Sequence, residues 1–307
     1  MAKGIAKGDA VFTTTFSFFA TAEVIALAGA TPVFVDIDKD TFNIDPKDLE
    51  RKIKKVLKDG KLIPKCIIPV NIFGLIADFE SIMRIRNKYN LFVIEDAAQS
   101  FGASMNNHFS CGFGDVGATS FYPAKPLGCY GDGGAIFTND KGLYLKMKSI
   151  RVHGEGEDKY HNDRIGLNSR LDTLQAAVLL EKVKLLQGEI DKRNYIANLY
   201  RKKISNSFTI QSDINQSISA WAQFSLLAKN MDHRKKILNS LKNNNIPYSI
   251  YYSIPLHLQT AFKDLDYQIG DLPVAEDISK RIFSLPMHPY LLEKDIEKII
   301  NIISDEE

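Results

Sequence analysis

The chain has 307 residues, 45% of them hydrophobic, enough to bury one large core and a smaller one, so two domains are expected. Its 39 basic and 37 acidic residues leave a formal charge of +2, too balanced for nucleic acid or a membrane surface as the main partner. No apolar run reaches bilayer length.

From Gly8 to about Leu186, short apolar strands alternate with polar helical stretches, as in a mostly parallel α/β sheet. Thr31 to Val35 and Cys66 to Val70 read as strands. The polar stretch Arg84 to Asn90 reads as a helix end feeding a buried strand, Leu91 to Glu95, and a further strand covers Gly117 to Phe121. The loop Gly154 to His161 is polar and glycine-bearing, either a mobile surface loop or a lid. Leu171, Leu174, Val178 and Leu185 recur at helical spacing into Asp191 to Ile204, a long helical connection. From Ser205 onward the pattern changes: Ala220 to Ala228 reads as a strand, Asp232 to Asn243 as a charged helix, Tyr248 to Tyr252 as a strand and Glu293 to Ile303 as an amphipathic helix. Residues 1–188 are therefore expected to form a large α/β domain, and residues 189–307 the connecting helix with a small α+β domain.

Asp96 closes the apolar run of Leu91 to Glu95 and so stands at a strand's carboxyl end, where ligands collect in open α/β sheets. Lys125 lies in the loop Ser120-Phe-Tyr-Pro-Ala-Lys-Pro-Leu-Gly128 beyond the next strand. Together they offer what pyridoxal 5'-phosphate requires, an amine for its aldehyde and an anion beside its ring nitrogen. Each has a plainer reading: Asp96 as the N-cap of a helix beginning at Ala97, and Lys125 as a solvated surface charge. Cys66, Cys111 and Cys129 lack metal-ligand spacing, and the six histidines include no zinc-protease pair. No metal site is expected, and free thiols in a reducing compartment point to the cytoplasm.

The residues resemble the DegT family of nucleotide-sugar aminotransferases. The likeness runs through Gly8-Asp-Ala-Val11, Thr31-Pro-Val-Phe-Val-Asp36, Glu95-Asp-Ala-Ala-Gln-Ser-Phe-Gly-Ala103, Gly131-Asp-Gly-Gly-Ala135, Asn168-Ser-Arg-Leu-Asp172 and Ser284-Leu-Pro-Met-His-Pro-Tyr290. It implies the aspartate aminotransferase type of fold (fold type I), with a mostly parallel sheet in the large domain. By the same resemblance Lys125 carries the cofactor and moves the proton, Asp96 pairs with the ring nitrogen, and Gln99 lies near the ring hydroxyl. Phe18 stacks on the ring, Ser120 contacts the phosphate, and Asn168 reaches the phosphate of a neighbouring subunit's cofactor, which implies a homodimer with shared active sites. The plainer reading of Phe18 is a core residue, and of Ser120 a hydroxyl bonding backbone at a strand end.

The implied reaction moves an amino group from an amino-acid donor, L-glutamate, to a keto nucleotide-sugar in surface polysaccharide synthesis. Ser120 to Gly134 and Asn168 to Ala177 most resemble members acting on UDP-2-acetamido-2-deoxy-3-oxo-glucuronate. Arg170 is the candidate for a sugar carboxylate, because a planar guanidinium can grip one with two parallel bonds. Tyr251, also a candidate substrate contact, and Ser253 stand where that likeness leads one to expect histidine and proline. A family relative that dehydrates its sugar carries histidine at the lysine position, and Lys125 argues against that reaction. The opening stretch Met1 to Asp9 corresponds to a point several dozen residues into family members, so the sequence reads as N-terminally incomplete. Relatives have a phosphate-binding glycine-threonine or glycine-serine turn before it, and a chain without that turn would expose apolar surface and hold the cofactor weakly. A folded but non-catalytic fragment or scaffold subunit is thus the alternative.

Overall fold

The computed structural model describes residues 1–158, 160–204, 208–214 and 216–306. Lys159, inside the expected lid, and residues 205–207 at the start of the expected C-terminal pattern lie outside the described residues.

The first half alternates strands and helices in chain order: β1 (Asp9–Thr14), α1 (Ala20–Leu27), β2 (Thr31–Val35), α2 (Pro46–Asp59), β3 (Ile63–Ile68), α3 (Phe79–Tyr89) and β4 (Phe92–Asp96). A small hairpin of β5 (Ser104–Met105) and β6 (His108–Phe109) precedes β7 (Val116–Ser120) and β8 (Gly134–Phe137). Helix boundaries follow local chemistry. Asp45 caps α2 by accepting from Lys47 N, with Pro46 in the first turn, and Asp78 caps α3 by accepting from Ser81 N.

These strands build a six-stranded sheet ordered β2-β1-β3-β4-β7-β8, parallel throughout except for the β7–β8 pair. The mostly parallel α/β sheet read from the sequence is the observed one. Chain connections part on either side of β1, which leads through α1 to β2 but pairs on its other edge with β3. That makes the carboxyl ends of β1, β3 and β4 the natural binding edge. At the opposite side, β8 is the edge strand and exposes Ile136 and Phe137.

Among the described residues, five α-helices and four strands follow the first sheet's α4 (Lys141–Arg151): α5 (Thr173–Lys182), α6 (Leu186–Lys203), β9 (Thr209–Ile210), β10 (Ser217–Ile218), β11 (Phe224–Leu227), α7 (Met231–Asn243), α8 (Pro273–Arg281), β12 (Ile282–Leu285) and, last, α9 (Glu293–Ser304). Strands β12, β11 and β9 form a second, antiparallel sheet. Helix α6 joins two cores: Ile190 packs into the cluster under the large sheet, with Phe12, Ile67 and Val93, whereas Ile196 and Tyr200 pack with Phe224, Phe283 and Ile299 beside the small one. A close backbone approach also links them. Gly74 has φ +103°, and a Cβ there would lie 2.6 Å from Trp221 N, so only glycine fits.

Two C-terminal expectations change. The Ala220–Ala228 strand is shorter, because Ala220 N and Ala222 N donate to the carbonyls of Gly74 and Phe73 instead of to a ladder. Tyr248 to Tyr252 is not a strand: Ser249 alone bridges to Ser284, and the chain then turns so that Tyr252 packs edge-on against Phe16.

Candidate active site

Successive strand side chains point to opposite faces, so Glu95 and Asp96 at the end of β4 serve different surroundings. Glu95 is fully buried and accepts from Asn71 Nδ2 (2.8 Å), Ser110 Oγ (3.0 Å), Cys111 N (2.8 Å) and Phe113 N (2.9 Å). It ties the loop before β7 to the strand that carries Asp96.

Asp96 faces the binding edge. Its backbone N donates to Pro69 O, which fixes the strand end beside β3. Its Oδ2 accepts from Thr21 Oγ1 at 2.8 Å and its Oδ1 from Ala98 N at 3.1 Å. Thr21 Oγ1 is itself 3.1 Å from Ser17 Oγ. The Ala98 bond is a turn formed by the aspartate on its own backbone; residues 98–102 are turn, with no helix starting at Ala97, so the N-cap reading fails. Burial pushes the Asp96 carboxyl up from its ordinary pKa, while the Thr21 and Ala98 donors and the charge of Lys125 pull it down.

Lys125 is half-buried, which removes the solvated-charge reading. Its loop is tight: Lys125 N donates to Tyr122 O, Cys129 N donates to Phe121 O, and a Cβ on Gly128 would lie 2.5 Å from Pro123 O. Burial pushes the lysine pKa down and the Asp96 charge pushes it up. The two groups therefore feel each other's charge across the binding edge without forming an ion pair.

Other expected site residues are distributed unevenly. Gln99 is buried next to Asp96, its Oε1 accepting from Phe73 N (2.7 Å) and its Nε2 donating to Tyr252 OH (2.9 Å). Tyr251 is half-buried and joins this group through its ring, 5.7 Å from that of Tyr252. Phe18, between β1 and α1, is 60% exposed and so is not a core residue. Ser120, at the end of β7, accepts from Tyr122 N (3.2 Å), the plainer bond foreseen for it, and keeps a hydroxyl proton to donate. Asn168 and Arg170 are exposed and bonded to each other, Arg170 Nε donating to Asn168 Oδ1 at 3.1 Å, and no hydrogen bond or ion pair joins them to Asp96 or Lys125. Sequence reasoning missed Thr21, Ser17 and Tyr252; the signal for the first two was a pair of hydroxyl residues four apart just beyond a strand's carboxyl end.

A half-buried amine and a half-buried carboxylate brought to the carboxyl edge of neighbouring strands in a mostly parallel α/β sheet define a site of the pyridoxal-phosphate enzyme class. The donor set fits that cofactor: burial weakens the hold of Lys125 on its proton, and Asp96 has only one donor on each oxygen, leaving lone pairs for another. Among the described residues no group of three or more metal-ligating side chains exists.

The sequence profile of the DegT/DnrJ/EryC1/StrS aminotransferase family matches residues 1–304, and the chain belongs to that family. It is an aminotransferase whose cofactor is pyridoxal phosphate. It is 46% identical over 293 residues to a UDP-2-acetamido-2-deoxy-3-oxo-D-glucuronate aminotransferase from Pseudomonas aeruginosa, covering 95% of this chain and 77% of the relative. A solved family aminotransferase from Brucella abortus is 51% identical with a TM-score of 0.95, covering 99% of this chain and 81% of the other. DesV from S. venezuelae is 29% identical with a TM-score of 0.91, covering 99% and 80%.

Proposed function

We propose that this chain transfers the amino group of L-glutamate to a keto sugar carried on a nucleotide, with Lys125 as the catalytic residue and Asp96 as the partner of the cofactor's ring nitrogen. The observation that carries this reading is the placement of a half-buried Lys125 in the tight loop beyond β7, next to the strand β4 whose carboxyl end presents the half-buried Asp96 at the sheet's binding edge. When bound, pyridoxal phosphate takes up the donor's amino group and draws electrons from the reacting carbon into its ring.

The protein's part is to bind, orient and move one proton. Burial lowers the proton affinity of Lys125, so its amine is available as a base that lifts the proton from the donor's α-carbon and later returns one to the sugar carbon. Asp96, when ionised, would keep a proton on the ring nitrogen, and its two donors favour that state against the effect of burial. Phe18, exposed beside β1, would cover one face of the ring, and Gln99, held by Phe73 and Tyr252, would border its hydroxyl. Ser120 would donate its remaining proton to the phosphate.

Asn168 and Arg170 have no bond to this site within one chain. We infer a homodimer in which the partner's copy of Asn168 reaches the phosphate and Arg170 grips a sugar carboxylate, with Tyr251 lining the substrate side. The division into a large domain (1–188) and a connecting helix with a small domain (189–307) would place the substrate between them. The name of the P. aeruginosa relative supports UDP-2-acetamido-2-deoxy-3-oxo-glucuronate as acceptor, and with it a role in surface polysaccharide synthesis. Three buried free thiols favour a reducing, cytoplasmic setting.

The test supplies the protein with pyridoxal phosphate, L-glutamate and that oxo-sugar, and follows 2-oxoglutarate and amino sugar together. Both should form in equal amounts and neither with Lys125→Ala; glutamate turnover with no amino sugar would refute the acceptor, and no turnover with any keto nucleotide-sugar would refute the reaction.

A further inference from the structure

We propose that Ser17 and Thr21 form a directional hydroxyl chain that keeps Asp96 ionised, which makes Thr21 a positioning residue for amino transfer. The inference rests on the reading of Asp96 as the ring nitrogen's partner.

The direction of the chain follows from proton counting. An ionised carboxylate can only accept, so the single hydroxyl proton of Thr21 goes to Asp96 Oδ2, 2.8 Å away. The Thr21 oxygen then has lone pairs left and no proton, so at 3.1 Å it must accept from Ser17. Ser17 and Thr21 are 2% and 5% exposed, so water does not compete for these bonds, and each donation polarises the next. Thr21 lies in the first turn of α1, but its hydroxyl is not spent on the helix: the N-cap, Phe19, has no side-chain bond, and the Thr21 side chain is turned to a strand end 75 positions away.

The chemical consequence concerns a shared proton. A buried carboxylate next to a pyridine nitrogen competes with it for one proton, and the weaker base loses. Burial alone strengthens the carboxylate as a base; two donors, one on each oxygen, weaken it. The Ala98 amide is backbone and present whatever the side chains. Thr21 is the adjustable donor, and it tips the proton toward the nitrogen, the state in which the ring draws electrons. Removing the hydroxyl should hand the proton to Asp96 and weaken that draw while leaving binding of the substrates in place.

The test uses pyridoxal phosphate labelled with nitrogen-15 in the ring, bound to the whole protein and read by NMR. Thr21→Val removes the hydroxyl and keeps the branched shape; Thr21→Ser restores the hydroxyl. The parent should give the protonated-ring position, Thr21→Val should move toward the neutral-ring position marked by Asp96→Asn, and Thr21→Ser should return toward the parent. Turnover of Thr21→Val should fall roughly tenfold or more, the loss of a hydrogen bond to a charged group, with KM nearly unchanged. Ser17→Ala should shift the signal the same way by less, and decides the matter if Thr21→Val does not fold. A signal that Asp96→Asn leaves at the parent position overturns the ring-nitrogen reading and this inference with it. Should Asp96→Asn move the signal while Thr21→Val and Ser17→Ala leave it unmoved, the hydroxyl chain alone is refuted.

Discussion

Replacing Glu95 by alanine tests whether the buried side of β4 holds the strand end that presents Asp96. Four donors converge on the Glu95 carboxylate. Two have somewhere else to go: Asn71 Nδ2 also reaches Ser100 Oγ at 2.9 Å, and Ser110 Oγ lies 2.5 Å from Ser100 Oγ. The Cys111 and Phe113 amides do not, and each unsatisfied buried N–H costs about 1–3 kcal/mol, or roughly 4 kcal/mol for the two. Burial pushes the Glu95 carboxyl up from its ordinary pKa, so deleting the charge returns part of that cost, and the net loss is about 3 kcal/mol. Glu95→Gln keeps an amide oxygen for the three donors on Oε1 and turns an NH2 toward Phe113 N, which predicts a smaller loss of about 1–2 kcal/mol. Urea unfolding followed by far-ultraviolet circular dichroism, with slopes compared between variants, measures both. A loss below about 1 kcal/mol for Glu95→Ala, or equal losses for the two variants, would refute the reasoning.

Asp96→Asn should retain cofactor but lose turnover roughly ten- to a hundredfold, the range for removing a charged hydrogen-bond partner; cofactor retention after dialysis and steady-state rates separate the two effects. Burial pushes the His257 pKa below its ordinary 6.5 although Nε2 faces Glu276 at 3.2 Å and Nδ1 faces Thr15 at 2.7 Å. The unfolded chain therefore binds a proton there first, so the contribution is intact above pH 6.5 and stability declines as pH falls below it. Thermal melts from pH 7 to pH 5 should show a shallower decline in His257→Gln than in the parent. In a dimer with shared sites, mixing equal amounts of Lys125→Ala and Asn168→Ala chains restores one intact site per mixed dimer, about a quarter of parent activity; sedimentation as a monomer, or no recovery from two otherwise folded chains, would rule out the shared site.

Most of the large sheet could be read from the sequence because its buried strands are apolar runs bounded by helix caps. Thr31–Val35 matches its strand residue for residue, and the strands carrying Glu95 and Thr119 shift by a single position. Asp96 could be read for the same reason, since it stands at the carboxyl end of a buried strand, where the crevice opens. The Tyr248 to Tyr252 segment could not: its alternation resembles a strand, but edge-on packing of Tyr252 with Phe16, far earlier in the chain, decides its path. Nor could Thr21 be linked to Asp96, because hydroxyl residues are common at helix starts and the partner is remote in sequence. Asn168 and Arg170 were legible by likeness alone; within one chain they bond to each other, so their use depends on a second subunit that no local pattern encodes.

The central claim is that Lys125 is the amine that carries pyridoxal phosphate. Borohydride reduction of the protein after incubation with the cofactor, followed by proteolysis and mass spectrometry, tests it directly. The account predicts a single phosphopyridoxyl group, on the peptide containing Tyr122 to Leu127 and on Lys125 within it, and loss of that label in Lys125→Ala. A label on another lysine such as Lys146 in the parent protein would contradict it.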